Sequence, residues 1–290
     1  MTARGSSAAV ATGIGAGALL LWGTLALFTT WTAGLPPFQV TAISFTIAGL
    51  AAAGTWVVRG LDPRPVLRQP LVVWALGLYG LFGYHACYFA ALKLAPPLEA
   101  NLVNYLWPLL IVLFSATLPG ERLRWFHVAG AAIGFAGVVL LVGGGEFRQE
   151  HWAGYGLAVG CGVIWSSYSV LSRRFGSVPT DAVGGFCLGA ALLAALCHLL
   201  FEAWVTPTLG GWVALVLLGL GPAGLAFFAW DIGMKHGHLR LLAAASYGTP
   251  LLSTLLLAAF GGGSLTLVVA LAAALVVAGS VLASLDVIRR

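Results

Sequence analysis

From Pro37 to Val58 the chain carries no Asp, Glu, Lys or Arg, and from Leu71 to Leu92 it again carries none. Apolar runs of this kind recur along the whole sequence. Most are close to the roughly 20 residues that an α-helix needs to cross a hydrocarbon core. In lipid every backbone amide must be bonded internally, so such a chain crosses as helices or as a closed barrel. The runs lack the alternating polarity of a barrel strand, and 39 glycines spread among them suit close helix packing. The balance of 60% hydrophobic against 8% charged residues leaves too few charges to cover a water-soluble surface of this size.

Ten spans are expected, at roughly 8–31, 37–58, 71–93, 97–118, 125–143, 152–174, 182–204, 211–234, 239–260 and 265–285. Short connections such as GLPP, RGLDPRPVLRQP and PGERLR separate them. The first apolar run, after Arg4, is longer than a signal-peptide core and is expected to remain as an uncleaved helix. A cytoplasmic N-terminus places Arg4, Arg59, Arg64, Arg68, Arg122, Arg124, Arg173, Arg174, Lys235, Arg240, Arg289 and Arg290 on the cytoplasmic side. Only Lys93 and Arg148 remain outside, the bias of the positive-inside rule. The expected fold is therefore an all-α integral membrane protein with both ends in the cytoplasm.

Shifting the chain by about 142 residues superimposes several features of an internal repeat. Tyr105 meets Tyr247, Pro108 meets Pro250, and a Leu-Leu pair follows each proline. Lys93 meets Lys235, Tyr88 meets Trp230, Gly137 meets Gly279, and Trp22 meets Trp165 with one residue of slack. The chain thus divides into five-helix repeats over 1–145 and 146–290. Five is odd, so the second repeat enters the membrane from the opposite face, an arrangement on which secondary transporters build alternating access. A duplicated scaffold without transport is the competing reading, and clustered polar and aromatic residues weigh against it.

The sequences NYLWPLL and SYGTPLL place Pro108 and Pro250 inside apolar runs. Each proline frees the carbonyl four residues earlier, that of Asn104 or Ser246, which should then face a polar group or a wet cavity. These prolines are the candidate hinges. Asn101, Tyr105 and Pro108 share a helical face, as do Tyr84 and Tyr88, with His85 alongside. Trp165 and Ser169 in the sixth span, Trp230 in the eighth, Trp22 in the first and Tyr247 in the ninth complete the set. Tyr105, Trp165 and Tyr247 lie too deep to be interfacial anchors, so together these residues outline a pocket for a planar or apolar organic solute. His85 is a candidate for contacting a carboxylate or titrating, or is a neutral histidine bonded between helices. Asp231 is spaced to pair with Lys235. Glu202 and His198 lie toward the outer end of the seventh span, where snorkelling or interfacial burial is expected.

No GxxxxGK[ST] loop, HExxH or nucleophile elbow occurs, which removes ATP-driven and common hydrolytic mechanisms. Cys87, Cys161, Cys187 and Cys197 lack ligand spacing and are expected as small buried thiols, with no metal and no cofactor. The basic residues are dispersed between spans rather than gathered for a nucleic acid. The pairs Gly13/Gly17, Gly130/Gly134, Gly156/Gly160 and Gly185/Gly189 are expected at helix contacts.

Four stretches carry a resemblance: LLLWG, YFAALKLAPPLEANLVNYLWPLL, PGERL and AGAAIGFAGVVLLV. They resemble the EamA-type branch of the drug/metabolite transporter superfamily, over essentially the whole chain. GYHACYFAALK followed by EANLVNYLWPLL is similar, more narrowly, to the branch's bacterial aromatic amino-acid exporters. The resemblance implies a basket of ten helices around a central cavity in the bacterial inner membrane. It implies export of Phe, Tyr and Trp, with His85, Tyr88 and Tyr105, and further Trp107 and Trp165, at the site. The second half has GGGSL where the first has PGERL, so Glu121 has no counterpart. Export of another metabolite or a lipophilic cationic drug is the alternative within transport. A passive channel or a membrane-embedded enzyme is the alternative outside it.

Overall fold

The computed structural model describes residues 3–32, 34–95, 100, 103–120, 122–142, 149–260, 266–283 and 285. Asn101, Glu99, Glu121, Arg148, the GGGSL stretch and the boundary at 145/146 lie outside the described residues. All regular structure among the described residues is helical.

Helix α1 runs Ala3–Gly23 and continues, past a turn at Thr24, as Leu25–Trp31; α2 is Pro37–Val58. Helix α3 is Leu71–Leu78 and Tyr84–Leu94, joined by a π turn at Tyr79–Gly83. The described part of α4 is Trp107–Ser115, preceded by a helical turn at Val103–Asn104, and α5 is Trp125–Val142. In the second half α6 is Trp152–Ser172 and α7 is Ala182–Phe201. Helix α8 is Leu209–Leu220 and Ala226–His236 around a π turn at Gly221–Leu225. Helix α9 comprises Leu239–Ala245 and Gly248–Phe260, and α10 is Leu267–Ala283. Among the described residues, five continuous segments are by themselves long and apolar enough to cross a membrane: Ser7–Thr29, Pro37–Val58, Leu71–Leu94, Ala182–Phe201 and Leu209–His236. The chain is a multi-pass membrane protein.

Packing runs chiefly between the halves. The largest interfaces pair α5 with α10, α2 with α7, α1 with the end of α8, and α3 with α6. Exchanging each helix for its counterpart five places on maps these pairs onto themselves or one another, and likewise turns the α4–α6 contact into α1–α9. The two π turns, each of 5 residues, stand about 142 residues apart, at the offset of the sequence repeat. Helix partners approach closely where glycine removes the Cβ. A Cβ on Gly130 would stand 2.5 Å from the Gly279 carbonyl oxygen, and one on Gly15 would stand 2.9 Å from the Gly233 Cα.

Two of the four glycine pairs depart from expectation. Gly13, Gly17 and Gly156 have open space where a Cβ would go, because the register turns Gly15 and Gly154 to the neighbouring helices instead. Gly160 meets only the Cys87 sulfur, at 3.3 Å, whereas Gly130, Gly134, Gly185 and Gly189 do sit against neighbours. Glu202, just past the end of α7, is buried and caps α2, accepting from the Phe38 and Gln39 amides at 3.1 Å and bonding His198 Nδ1 at 3.0 Å. This meets the unpaired donors of a helix N-terminus with a negative charge.

Ahead of each proline the regular α pattern is interrupted by a tighter turn, at Tyr105–Leu106 and at Ser246–Tyr247. The Leu106 and Tyr247 amides bond three residues back, to the Val103 and Ala244 carbonyls, with the backbone still right-handed helical at Leu106 and Ser246. Pro108 and Pro250 lie in the first turn of the segment that follows. There a missing N–H costs little, since those amides have no intrahelical partner anyway. The Ser246 carbonyl is not left free, because it accepts from the Thr249 amide at 3.0 Å.

Side-chain bonds gather the basic residues at one end of the bundle. Arg173 donates to the carbonyls of Met234 and Gly237, Arg174 to that of Thr117, and Arg240 to Ser115 Oγ. Arg59 pairs with Asp181 at 2.8 Å. The C-terminal ends of α2, α4, α6 and α8 therefore share this end with the N-terminal ends of α7 and α9. At the opposite end Glu202 meets the start of α2, and His151 meets the Leu94 carbonyl at the end of α3.

Candidate functional site

The interior of the bundle holds a continuous aromatic cluster drawn from both halves. Trp22 of α1 lies with its ring centroid 5.5 Å from Trp165 of α6, 5.9 Å from Phe227 of α8 and 5.1 Å from Trp230 of α8. Trp107, at the start of the second α4 segment, stands edge-on to Trp165 at 6.4 Å and to Trp230 at 5.8 Å. Tyr84 of α3 is 5.8 Å from Trp165 and stacks on Tyr88 at 5.9 Å with the planes 6° apart. These are the edge and offset geometries that aromatic quadrupoles favour. Trp107, Trp165 and Trp230 are buried, whereas Trp22, Tyr84, His85, Tyr88 and Tyr105 are partly exposed.

Polar groups around the cluster are tied to specific partners. Trp230 Nε1 donates to Ser169 Oγ at 3.0 Å, and Trp22 Nε1 donates to the Pro222 carbonyl at 3.1 Å within the α8 π turn. Ser166 Oγ lies 2.6 Å from the Gly162 carbonyl of its own helix and 2.8 Å from the Trp107 carbonyl of α4, its one proton shared between them. Asn104 Nδ2 donates to the Tyr84 hydroxyl at 2.9 Å. His85 Nδ1 sits 2.7 Å from the Leu81 carbonyl in the α3 π turn. A carbonyl only accepts, so Nδ1 carries the proton and Nε2 is the ring nitrogen left for other chemistry. The His85 ring packs edge-on against Phe45 of α2 at 5.1 Å and Tyr84 at 5.3 Å. The π turns thus supply carbonyls to two members of the cluster, a use of local helix irregularity common at functional sites.

Of the residues singled out in the sequence, Trp22, Tyr84, His85, Tyr88, Trp107, Trp165, Ser169 and Trp230 come together. Tyr105 lies at the α4 turn, partly buried against the same core as Tyr84 and Trp22. Tyr247 is fully buried within the same hydrophobic core as Trp107, Trp165 and Trp230, against Gly134 and 6.4 Å from the Phe135 ring. Asn101 lies outside the described residues. Phe45 escaped notice in the sequence because one phenylalanine in an apolar run carries no signal. The glycine-rich YGLFG and GPAGL were the available sign of the π turns.

Toward the basic end the cluster is closed by a buried ion pair. Lys235 Nζ meets Asp231 Oδ2 at 2.8 Å, with both side chains 4% exposed. Thr180 Oγ1 donates to the same carboxylate oxygen at 2.7 Å, and Lys235 also donates to the Val178 carbonyl at 3.0 Å. Beside the pair is a cavity of about 20 Å³, bordered by Tyr168, Ser172 and Phe186, room for a single water. Among the described residues no group of three or more His, Cys, Asp or Glu could hold a metal ion.

A family model, the EamA-like transporter family, matches residues 11–143 and 152–285. A protein of Ancylobacter novellus named aromatic amino acid exporter YddG is 56% identical over 279 residues, 95% of this chain and 97% of that one. The protein of the same name in Salmonella typhimurium is 29% identical, over 97% of this chain and 98% of its own. A probable terminal-alkyne amino-acid exporter of Streptantibioticus cattleyicolor is 25% identical over 79% of this chain and 81% of its own. One crystal structure, 56% identical, superimposes with a TM-score of 0.93 and covers 97% of this chain and 99% of its own.

Proposed function

The chain belongs to the EamA-like transporter family, and on that premise we propose that it exports aromatic amino acids (Phe, Tyr and Trp) across the bacterial inner membrane. The observation that carries this is the aromatic cluster: rings from α1, α3, α4, α6 and α8 meet, buried on one side and partly exposed on the other. A planar ring entering it replaces aromatic contacts with aromatic contacts. The names of the Ancylobacter and Salmonella relatives support the substrate class.

Ten crossings, arranged as inverted repeats over 1–145 and 146–290 with both ends cytoplasmic, fit the exchange symmetry of the packing and the basic residues gathered at one end. In this reading the mechanism is alternating access. The partly exposed Tyr84, Tyr88 and Tyr105 face the extracellular side, and the Asp231–Lys235 end is the closed cytoplasmic side. The turns at Tyr105–Leu106 and Ser246–Tyr247, followed by Pro108 and Pro250, are the bending elements. Trp22, His85, Asn101, Trp107, Trp165, Ser169, Trp230 and Tyr247 are the remaining site candidates.

Proteoliposomes loaded with tryptophan test this by counterflow of labelled tryptophan. Saturable counterflow in the wild type, lowered at least about tenfold in Tyr105→Ala and His85→Ala at matched protein, is the expected result. Linear, non-exchanging flux points instead to a channel. Counterflow of a lipophilic cation without tryptophan replaces the substrate class.

A further inference from the structure

Asn104 carries an acceptor that the fold does not use. The residue is 4% exposed, its Nδ2 is committed to the Tyr84 hydroxyl, and its Oδ1 has no hydrogen-bond partner among the described residues. A buried amide oxygen in that state has lost water without replacement, which native structures seldom leave unexplained. Local helix geometry does not explain it. The matching turn in α9 forms around Ser246, whose Oγ donates to the Leu242 carbonyl at 2.7 Å and is satisfied within its own helix. Only the first copy places an amide here, and it places it at the aromatic cluster, bonded to a tyrosine 5.8 Å from Trp165 and three residues before Trp107.

Ring stacking recognises the indole that an amino acid, its decarboxylated amine and its deaminated acid all share, and aromatic faces favour a cation only through a weakly directional attraction. An amide oxygen discriminates, because it only accepts and so requires a donor. Resting on the aromatic amino-acid assignment above, we propose that Asn104 reads the α-ammonium group of the substrate. Its Oδ1 accepts an ammonium N–H, while Tyr84 holds the other end of the amide and fixes which way the oxygen points. An ammonium is a charge-assisted donor, so this bond contributes more than a neutral one and sets preference for compounds that keep the amine.

Competition against tryptophan counterflow tests this, with tryptamine (amine, no carboxylate) and indole-3-propionate (carboxylate, no amine) as probes. In the wild type tryptamine is expected to compete at concentrations about tenfold or more below indole-3-propionate. Asn104→Leu brings the two within about threefold and raises the KM for tryptophan about 10- to 100-fold, the span of a lost hydrogen bond to a charged group. Asn104→Asp, which keeps an acceptor, retains the amine preference. The ratio of the two inhibitory concentrations does not depend on how much protein folds, so a poorly expressed variant still decides. An unchanged ratio in Asn104→Leu overturns the assignment. So does a wild type that favours indole-3-propionate and loses that preference in the variant. Absence of any wild-type tryptophan counterflow is a separate result, and it overturns the transport assignment itself.

Discussion

Removing one partner of the Asp231–Lys235 pair should destabilise the protein far more than removing both. The two side chains are only 4% exposed, so solvent does not screen them, and the pair lies within one helix at a spacing of four. Asp231→Leu strands the Lys235 ammonium with one neutral acceptor, the Val178 carbonyl, and leaves the Thr180 hydroxyl without its carboxylate. Breaking a buried pair from one side costs about 3–5 kcal/mol. At about 2–4 °C per kcal/mol for a chain of this order of size, the melting temperature should fall by roughly 10 °C. Lys235→Met should fall by a similar amount. The double variant removes both charges and leaves only neutral polar groups to resolvate, so most of the loss should return, to within about 4 °C of wild type. The assay is thermal unfolding of the purified protein in detergent, read as a double-mutant cycle. A double variant whose loss equals the sum of the singles would falsify the coupling. A single variant within about 2 °C of wild type would show that water reaches the pair.

Glycine substitutions should separate by what a Cβ would meet. Gly130→Ala drives a methyl into the Gly279 carbonyl and the Ala283 amide, backbone atoms that cannot rotate away. It should cost about 1–3 kcal/mol in the same melting assay. Gly13→Ala and Gly17→Ala meet nothing within 4 Å and gain helix propensity, so they should be neutral or stabilising by up to about 1 kcal/mol. Equal losses at all three positions would contradict the packing of α5 on α10. Glu202→Ala removes the acceptor from two α2 amides and from His198, and should cost roughly 2 kcal/mol, with Glu202→Gln recovering part of it. A silent Glu202→Ala would mean that water caps α2.

Much of this architecture is legible in the residues because lipid makes the rules strict. Apolar length marks the crossings, and the shared offset of Tyr105 and Tyr247, Pro108 and Pro250 marks the repeat. Most of the aromatic cluster was also legible, since Tyr105 and Trp165 lie mid-span, where interfacial anchoring does not apply, and Trp22, Tyr84 and Trp230 were grouped with them as aromatic residues of other spans. What escaped depends on backbone hydrogen bonding rather than side-chain type. A proline within an apolar run reads as a kink, yet here each proline opens a new segment and Thr249 supplies the amide that satisfies Ser246. Residue spacing aligns Tyr247 with Tyr105, but the repeat is only approximate in what surrounds each copy: Tyr247 is fully buried against Gly134 and Phe135, whereas Tyr105 is partly exposed. Glycine pairs at four-residue spacing were ambiguous for a simpler reason: spacing defines a helical face but not whether that face meets protein or lipid.

The interleaved packing bears on how such a chain is made. In the nascent protein α1 reaches the bilayer long before α8 and α9, and α2 long before α7, although these are the helices they finally pack against. The glycine faces that receive those partners, Gly15 and Gly49 among them, must first be covered by lipid or by a holding factor. Assembly is therefore a late event, committed only when the last helices arrive. A chain truncated after α5 would be inserted but unfinished, with its partner faces displayed to whatever surveys the membrane for orphans.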